Sequence, residues 1–138
     1  MKRNRAFSAI IHDGKIAMVK HERSDNSFWT LPGGGVEEGE GLEDAAIREA
    51  EEEVNLKITI IRYLFNTEYT KGTEYCFLAI PSEGCELKLG CDPEFGDNDQ
   101  ILKEAAWIDI NEVREDKQVS KVLEVLTDEE MKAFNIVL

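Results

Sequence analysis

Short apolar runs rich in β-branched residues, separated by turn formers, mark the early part of the chain, and apolar residues at three-and-four spacing mark its end. Ala6 to His12 is apolar and β-rich, and Asp13-Gly14 divides it from Lys15-Ile16-Ala17-Met18-Val19-Lys20. The pattern predicts two strands joined by a tight hairpin. His21 to Ser27 is polar and predicts a turn, Trp29 to Leu31 a short extended piece, and Pro32 with Gly33, Gly34 and Gly35 a loop. Leu42 to Val54 carries the glutamates, alanines and leucine that favour helix, with Gly41 as N-cap and Asn55 as a left-handed stop. Lys57 to Thr70 reads as a strand long enough to bend, and Lys71-Gly72 turns it into a second strand, Thr73 to Ile80. Pro81 to Asp99 is irregular, has room for one short strand around Leu87, and is long enough to be a candidate functional loop. Ala105 to Ile110 is strand-like, and Asn111 suits the cap of a short helix containing Glu112 and Val113. Val119 to Leu126 and Asp128 to Phe134 complete the pattern as helices. The expectation is an α/β (α+β) chain, a mixed sheet with helices packed on it, over a single domain spanning 1–138.

Composition narrows the function classes. At 138 residues, a domain buries about two thirds of its unfolded surface without help from disulfides or metals. Cys76, Cys85 and Cys91 form an odd set with no C-x-x-C pair, so neither a disulfide framework nor a structural zinc site is suggested. No apolar run follows Met1-Lys2-Arg3-Asn4-Arg5, and no segment reaches the roughly eighteen apolar residues of a membrane span. A soluble cytoplasmic protein with no membrane partner is expected. The net charge of −13 argues against a nucleic-acid polymer as partner, because duplex binding depends on Lys and Arg releasing counterions from phosphates. A small anionic substrate remains compatible if divalent cations neutralise its site.

One spacing carries specific chemistry. Gly34 is followed after five residues by Glu40, after seven more by Arg48-Glu49, and then by Glu52-Glu53 and Asn55-Leu56. Residues three and four apart share a helix face, so Glu49, Glu52 and Glu53 are expected to gather into one carboxylate cluster. Such a cluster needs neutralising, and hard cations such as Mg²⁺ prefer oxygen ligands. This stretch resembles the Nudix box, a Gly, five residues, Glu, seven residues, then Arg-Glu-U-x-Glu-Glu-x-Gly-U with U a bulky aliphatic. Phe28-Trp29-Thr30-Leu31-Pro32-Gly33-Gly34-Gly35 looks like the family's usual lead-in. Two positions depart from the pattern: Ala50 stands at the first U and Asn55 at the last Gly. Ala is a small apolar residue and the best helix former, and Asn tolerates the left-handed conformation that ends helices.

The resemblance implies a Nudix-like α/β/α sandwich and a metal-dependent pyrophosphohydrolase using Mg²⁺ or Mn²⁺. The ligands it implies are Glu49, Glu52 and Glu53, with the Gly33 or Gly34 carbonyl completing the set. Arg48 is expected to orient a carboxylate, and Glu40 to support the loop. The base is left open among the three glutamates and a downstream loop, where Asp97, Asp99 and Glu104 are candidates for an extra acid. Gly34 and Gly35, having no side chains, let backbone approach a substrate closely.

Arg23 could clamp a phosphate with its planar fork of donors, or simply pair with Glu22 or Asp25 on the surface. Trp29 could stack on a base, as could Phe28, Phe65 and Tyr69, although core is the commoner fate of such residues. His12 and His21 are expected at the surface, and Trp107 and Cys76 in the core. The leading substrate is a nucleoside triphosphate. A sugar nucleotide, ADP-ribose or dinucleoside polyphosphate is the alternative, as is a binding module of the same fold that cleaves nothing. Monomer and homodimer both remain open.

Overall fold

The structure is a computed structural model and describes residues 3–90 and 100–138. Its strands are β1 (Arg5–His12), β2 (Lys15–Arg23), β3 (Asn26–Thr30), β4 (Gly33–Gly35), β5 (Ile58–Tyr69), β6 (Gly72–Pro81) and β7 (Gln100–Asp109). Its helices are α1 (Leu42–Val54), α2 (Lys117–Val125) and α3 (Asp128–Ala133), with one 3-10 turn at Ile110–Val113. The strands form one mixed sheet in the order β3-β2-β1-β6-β5, with β4 beside β1 and β7 beside β2. β1 and β6 run parallel, Ala6 opposite Tyr75 and Ile10 opposite Ala79, and the other pairs are antiparallel.

Side chains alternate across a strand, and here both alternating sets are apolar. Phe7, Ala9, Ile11, Ile16, Met18, Cys76 and Leu78 pack on one face with Val119, Val122 and Leu126 of the α2 region. Ile10, Ala17, Val19 and Ala79 pack on the other with Ala50 and Val54 of α1, and Ala6 and Phe77 pack there with Ala45 and Ala46. A sheet apolar on both faces must be covered on both, and the α/β/α sandwich follows. The small buried face of α1, Ala45, Ala46 and Ala50, sets the helix close against the strands. Asn55 ends α1 with φ 61°, in the left-handed region. Among the described residues no helix is long and apolar enough to cross a membrane.

Five local expectations are not met, three of them because strands pair. The Gly33–Gly35 loop is a strand, because β1 offers it a partner edge: Arg5, Ala6 and Phe7 stand opposite Gly35, Gly34 and Gly33. The polar stretch 21–27 is mostly strand as well, since β2 and β3 pair as far as Arg23 and Asn26 and leave only Ser24 and Asp25 as the turn. His21 is consequently buried rather than superficial, its Nε2 lying 2.8 Å from Thr30 Oγ1 and its ring stacked on Phe28. Asp109, not Asn111, caps the 3-10 turn by accepting from the Asn111 amide, and no strand forms at Leu87.

The edge strand β5 is tied to the helices behind it. Arg62 donates to both Glu130 carboxylate oxygens at 2.8 Å and to the Val125 carbonyl at 3.1 Å, while Glu130 closes a capping box with Thr127. The Arg62 hydrogen bond holds the Glu130 carboxyl down to about 2, below its usual 4.5. A depressed carboxyl stabilises the fold above its unfolded value and loses that contribution as pH falls through the folded one. Glu130→Gln should therefore cost about 1 to 3 kcal/mol at neutral pH, allowing for screening of the partly exposed Arg62. It should also flatten the loss of stability between pH 4.5 and 2. Urea unfolding of both proteins across that range checks this, and equal slopes would refute the assignment.

Candidate active site

The site is built where α1 faces the Gly33–Gly35 strand. Glycine is required there by space. A Cβ on Gly33 would lie 2.3 Å from the Phe7 ring and 2.5 Å from the Ala6 carbonyl, and one on Gly34 would lie 2.6 to 2.8 Å from the Glu49 carboxylate. One side of β4 is thus pressed on Glu49 and the other on Phe7. The Gly33 amide donates to Glu53 Oε1 at 2.9 Å. Glu49 and Glu53 are each 1% exposed, whereas the Glu52 side chain is 29% exposed.

Burying a carboxylate is costly unless a partner compensates it, and Glu49 has such a partner in Arg48. Its guanidinium donates to Glu40 at 2.8 and 3.0 Å, to the Gly35 carbonyl at 2.9 Å, to Glu49 at 3.2 Å and to Glu52 at 3.3 Å. The Glu40 hydrogen bond, then Glu49 and Glu52, raise the Arg48 pKa against the opposing effect of burial. The same bond lowers that of Glu40. Glu40 also accepts from the Glu37 amide at 3.0 Å, so it supports the turn that follows β4. Arg48 thus hydrogen-bonds three carboxylates, those of Glu40, Glu49 and Glu52.

Glu49 and Glu52 converge on one nitrogen, Arg48 Nη1, at 3.2 and 3.3 Å. Among the described residues no three acidic, His or Cys side chains converge into a metal-holding group. Arg48 stands between Glu49 and Glu52, and the Gly33 amide engages Glu53. The set still suits a hard cation: every donor is oxygen, and two of the three are buried against a backbone stripped of side chains.

The remaining candidates fall in different places. Arg23 is exposed, with its guanidinium 5.9 Å from the Phe28 ring centroid, while Glu22 pairs with Lys103 instead. Trp29 and Phe65 pack against the core cluster on the α2 face. Gly35 lies between two arginines, Arg48 on its carbonyl and the Arg3 guanidinium where its Cβ would be. Glu104 is exposed on β7, opposite Lys20 of β2. Asp97 and Asp99 lie outside the described residues. Trp107 is half-buried against the α1-side cluster, and Cys76 is buried, its thiol pushed up to about 12 by burial.

A feature not anticipated from sequence is a cavity of about 180 Å³ on the α2 face, lined by Phe7, Phe65, Tyr75, Lys117, Gln118 and Lys121 among others. Phe7 is shared between this cavity and Gly33, and Gln118 Oε1 accepts from the Leu31 amide at 2.9 Å, fixing α2 to the run that enters the glycines. No local pattern signals such a cavity, because its walls come from four separate segments.

Comparison with known proteins fits this geometry. Residues 2–128 match the family model of the NUDIX domain. The chain is similar to the NAD-capped RNA hydrolase NudC of Vibrio atlanticus (strain LGP32), 30% identical over 104 residues, covering 74% of this chain and 35% of that protein. It is also similar to the RNA pyrophosphohydrolase of Wolbachia sp. subsp. Drosophila simulans (strain wRi), 35% identical over 68 residues, 49% of this chain and 37% of that one. The chain spans about a third of the length of these two relatives. In fold it is like the MutT NUDIX hydrolase from Burkholderia pseudomallei, with TM-score 0.69, 22% identity and coverage of 92% and 99%. A C. elegans Ap4A hydrolase has TM-score 0.68, 19% identity and coverage of 87% and 93%. Relatives named for RNA stand partly against the expectation of no nucleic-acid polymer as partner. With its glycine strand, its Arg48-linked glutamates and the family model matching over residues 2–128, this chain belongs to the Nudix hydrolase family.

Proposed function

We propose that residues 1–138 act as one catalytic domain that hydrolyses a diphosphate linkage in a nucleoside derivative, with Mg²⁺ or Mn²⁺ as cofactor. The observation that carries this reading is the pair of almost fully buried carboxylates, Glu49 and Glu53, held against Gly33 and Gly34, with Arg48 bonded to Glu49. A fold has little reason to bury two acids together unless a cation joins them.

Glu49, Glu52 and Glu53 would hold the metal, with the Gly33 or Gly34 carbonyl as a further oxygen donor, and the metal would supply charge neutralisation of the phosphates and a more acidic water. Glu52, the most exposed of the three, is the one free to reorient toward an incoming ion. Arg48, bonded to Glu49 and Glu52, directs both carboxylates, and one of the three glutamates accepts the proton of the attacking water. Gly34 and Gly35 let the diphosphate pass close to the backbone, and Arg23 is available from the β2–β3 hairpin for a phosphate oxygen. The cavity beside Phe7, on the far side of β4 from Glu49, has room for a group of base size but is smaller than the roughly 300–1,000 Å³ usual for drug-sized ligands.

A nucleoside triphosphate is the leading substrate. A second reading, the 5′ end of an RNA, is favoured by the names of the relatives, NAD-capped RNA hydrolase and RNA pyrophosphohydrolase. Both present a diphosphate linked to a nucleoside. The test is phosphate, pyrophosphate and nucleotide release, with Mg²⁺ or Mn²⁺, from nucleoside triphosphates, nucleotide sugars, ADP-ribose, dinucleoside polyphosphates, and short RNAs carrying a 5′-triphosphate or an NAD cap. Turnover of one class well above the rest is expected. Nucleotide binding with no turnover anywhere would replace this reading with a non-catalytic module.

A further inference from the structure

The last turn of a helix leaves its carbonyls without partners of its own, and in α1 that turn carries Glu52 and Glu53. The segment 85–90 supplies the partners. The Lys88 amide donates to the Val54 carbonyl at 2.9 Å and the Gly90 amide to the Glu53 carbonyl at 2.8 Å. Asn55, at the left-handed stop, donates through Nδ2 to the Glu86 carbonyl at 3.1 Å. Cys85 and Leu87 pack inward against the cluster that contains Ala50, Val54 and Leu56. At Gly90 a Cβ would lie 1.8 Å from the Glu52 carbonyl oxygen and 2.8 Å from its carbon, so any side chain there must push the segment off the helix.

Glu53 is thereby held at both ends, its carboxylate by the Gly33 amide and its carbonyl by the Gly90 amide. Asn55 stands where the family pattern has glycine. Glycine would make the same turn, but it has no side chain to reach Glu86. From these contacts we propose that residues 85–90 form a strap that positions Glu52 and Glu53 for metal binding. Gly90 and Asn55 are its positioning residues, and the departure from the family pattern at Asn55 serves as the strap's latch. The inference rests on the metal-site reading given under Proposed function.

Mn²⁺ binding to the full chain without substrate, followed by the electron paramagnetic resonance signal of the free ion, tests it independently of turnover. Gly90→Ala should weaken Mn²⁺ binding by roughly 10-fold, the lower end of what loss of a ligand's support costs. Asn55→Gly, which keeps the turn and the fold, should weaken it about 3-fold, a smaller effect because one of three hydrogen bonds is lost. Gly84→Ala is the control: Gly84 has φ +81° and open space around it, so the added methyl strains the same segment without touching α1, and Mn²⁺ affinity should stay at the wild-type value. Wild-type affinity in Asn55→Gly and in any folded Gly90→Ala overturns the strap, as does equal weakening by Gly84→Ala. Failure of the wild-type chain to bind Mn²⁺ overturns the metal site itself, and the strap with it.

Discussion

Turnover is expected to fall by roughly 10²- to 10⁴-fold when Glu52 and Glu53 are both replaced by glutamine, with the chain still folded. Glutamine keeps the length of glutamate, and its carbonyl oxygen can still accept the Gly33 amide that bonds Glu53 Oε1 at 2.9 Å. The negative charge needed to hold a cation is what disappears. Glu53 is 1% exposed and shares its helix face with Glu49, so neutralising it also relieves repulsion between buried acids. The melting temperature without metal should therefore hold or rise. Wild type should gain stability from added Mg²⁺, because a ligand that prefers the native state raises it, and the double variant should lose that gain. Steady-state rates and melting curves with and without Mg²⁺ test both halves. Turnover within about threefold of wild type would remove these carboxylates from the chemistry, being far short of the loss expected of a catalytic acid or base.

Arg48→Ala should be the most destabilising change in the site, by about 3 to 5 kcal/mol. It removes the partner of Glu40, Glu49, Glu52 and the Gly35 carbonyl at once, and leaves Glu49 buried without the guanidinium that offsets it. In a chain of this size that corresponds to a fall in melting temperature of roughly 10 °C or more. Arg48→Lys should recover only part of the loss, since a single ammonium cannot present the planar fork that reaches Glu40 and Gly35 together. Mg²⁺ should narrow the gap between Arg48→Ala and wild type, because a bound cation takes over the neutralisation of Glu49. Thermal unfolding with and without Mg²⁺ checks this. A loss below about 1 kcal/mol, the scale of exposed ion pairs, would mean that the network is an ordinary surface one.

Several elements were legible because their signals are local. α1 combines strong helix formers with a residue that tolerates the left-handed stop at Asn55, and it forms over Leu42–Val54 as read. The β1–β2 hairpin follows from Asp13-Gly14, where both residues have positive φ. Legibility failed where a partner strand overrode composition. Three successive glycines carry no strand preference, yet β1 pairs with them, and polar residues 21–23 continue β2 because β3 lies alongside. His21 went inward for the same reason.

The order and spacing of ionisable groups, and the helical period that puts Glu49, Glu52 and Glu53 on one face beside Arg48, were determined by the sequence alone. They depend on neighbours within about two turns of helix. Tertiary structure alone decided that Glu49 and Glu53 are buried while Glu52 is not, and that Arg48 bonds Glu40 and the Gly35 carbonyl as well as its helix neighbours Glu49 and Glu52. It alone placed Phe7 between the glycine strand and a cavity, and brought residues 85–90 to cap α1. Each of these is a burial or a hydrogen bond between segments far apart in the chain, and only packing sets such distances.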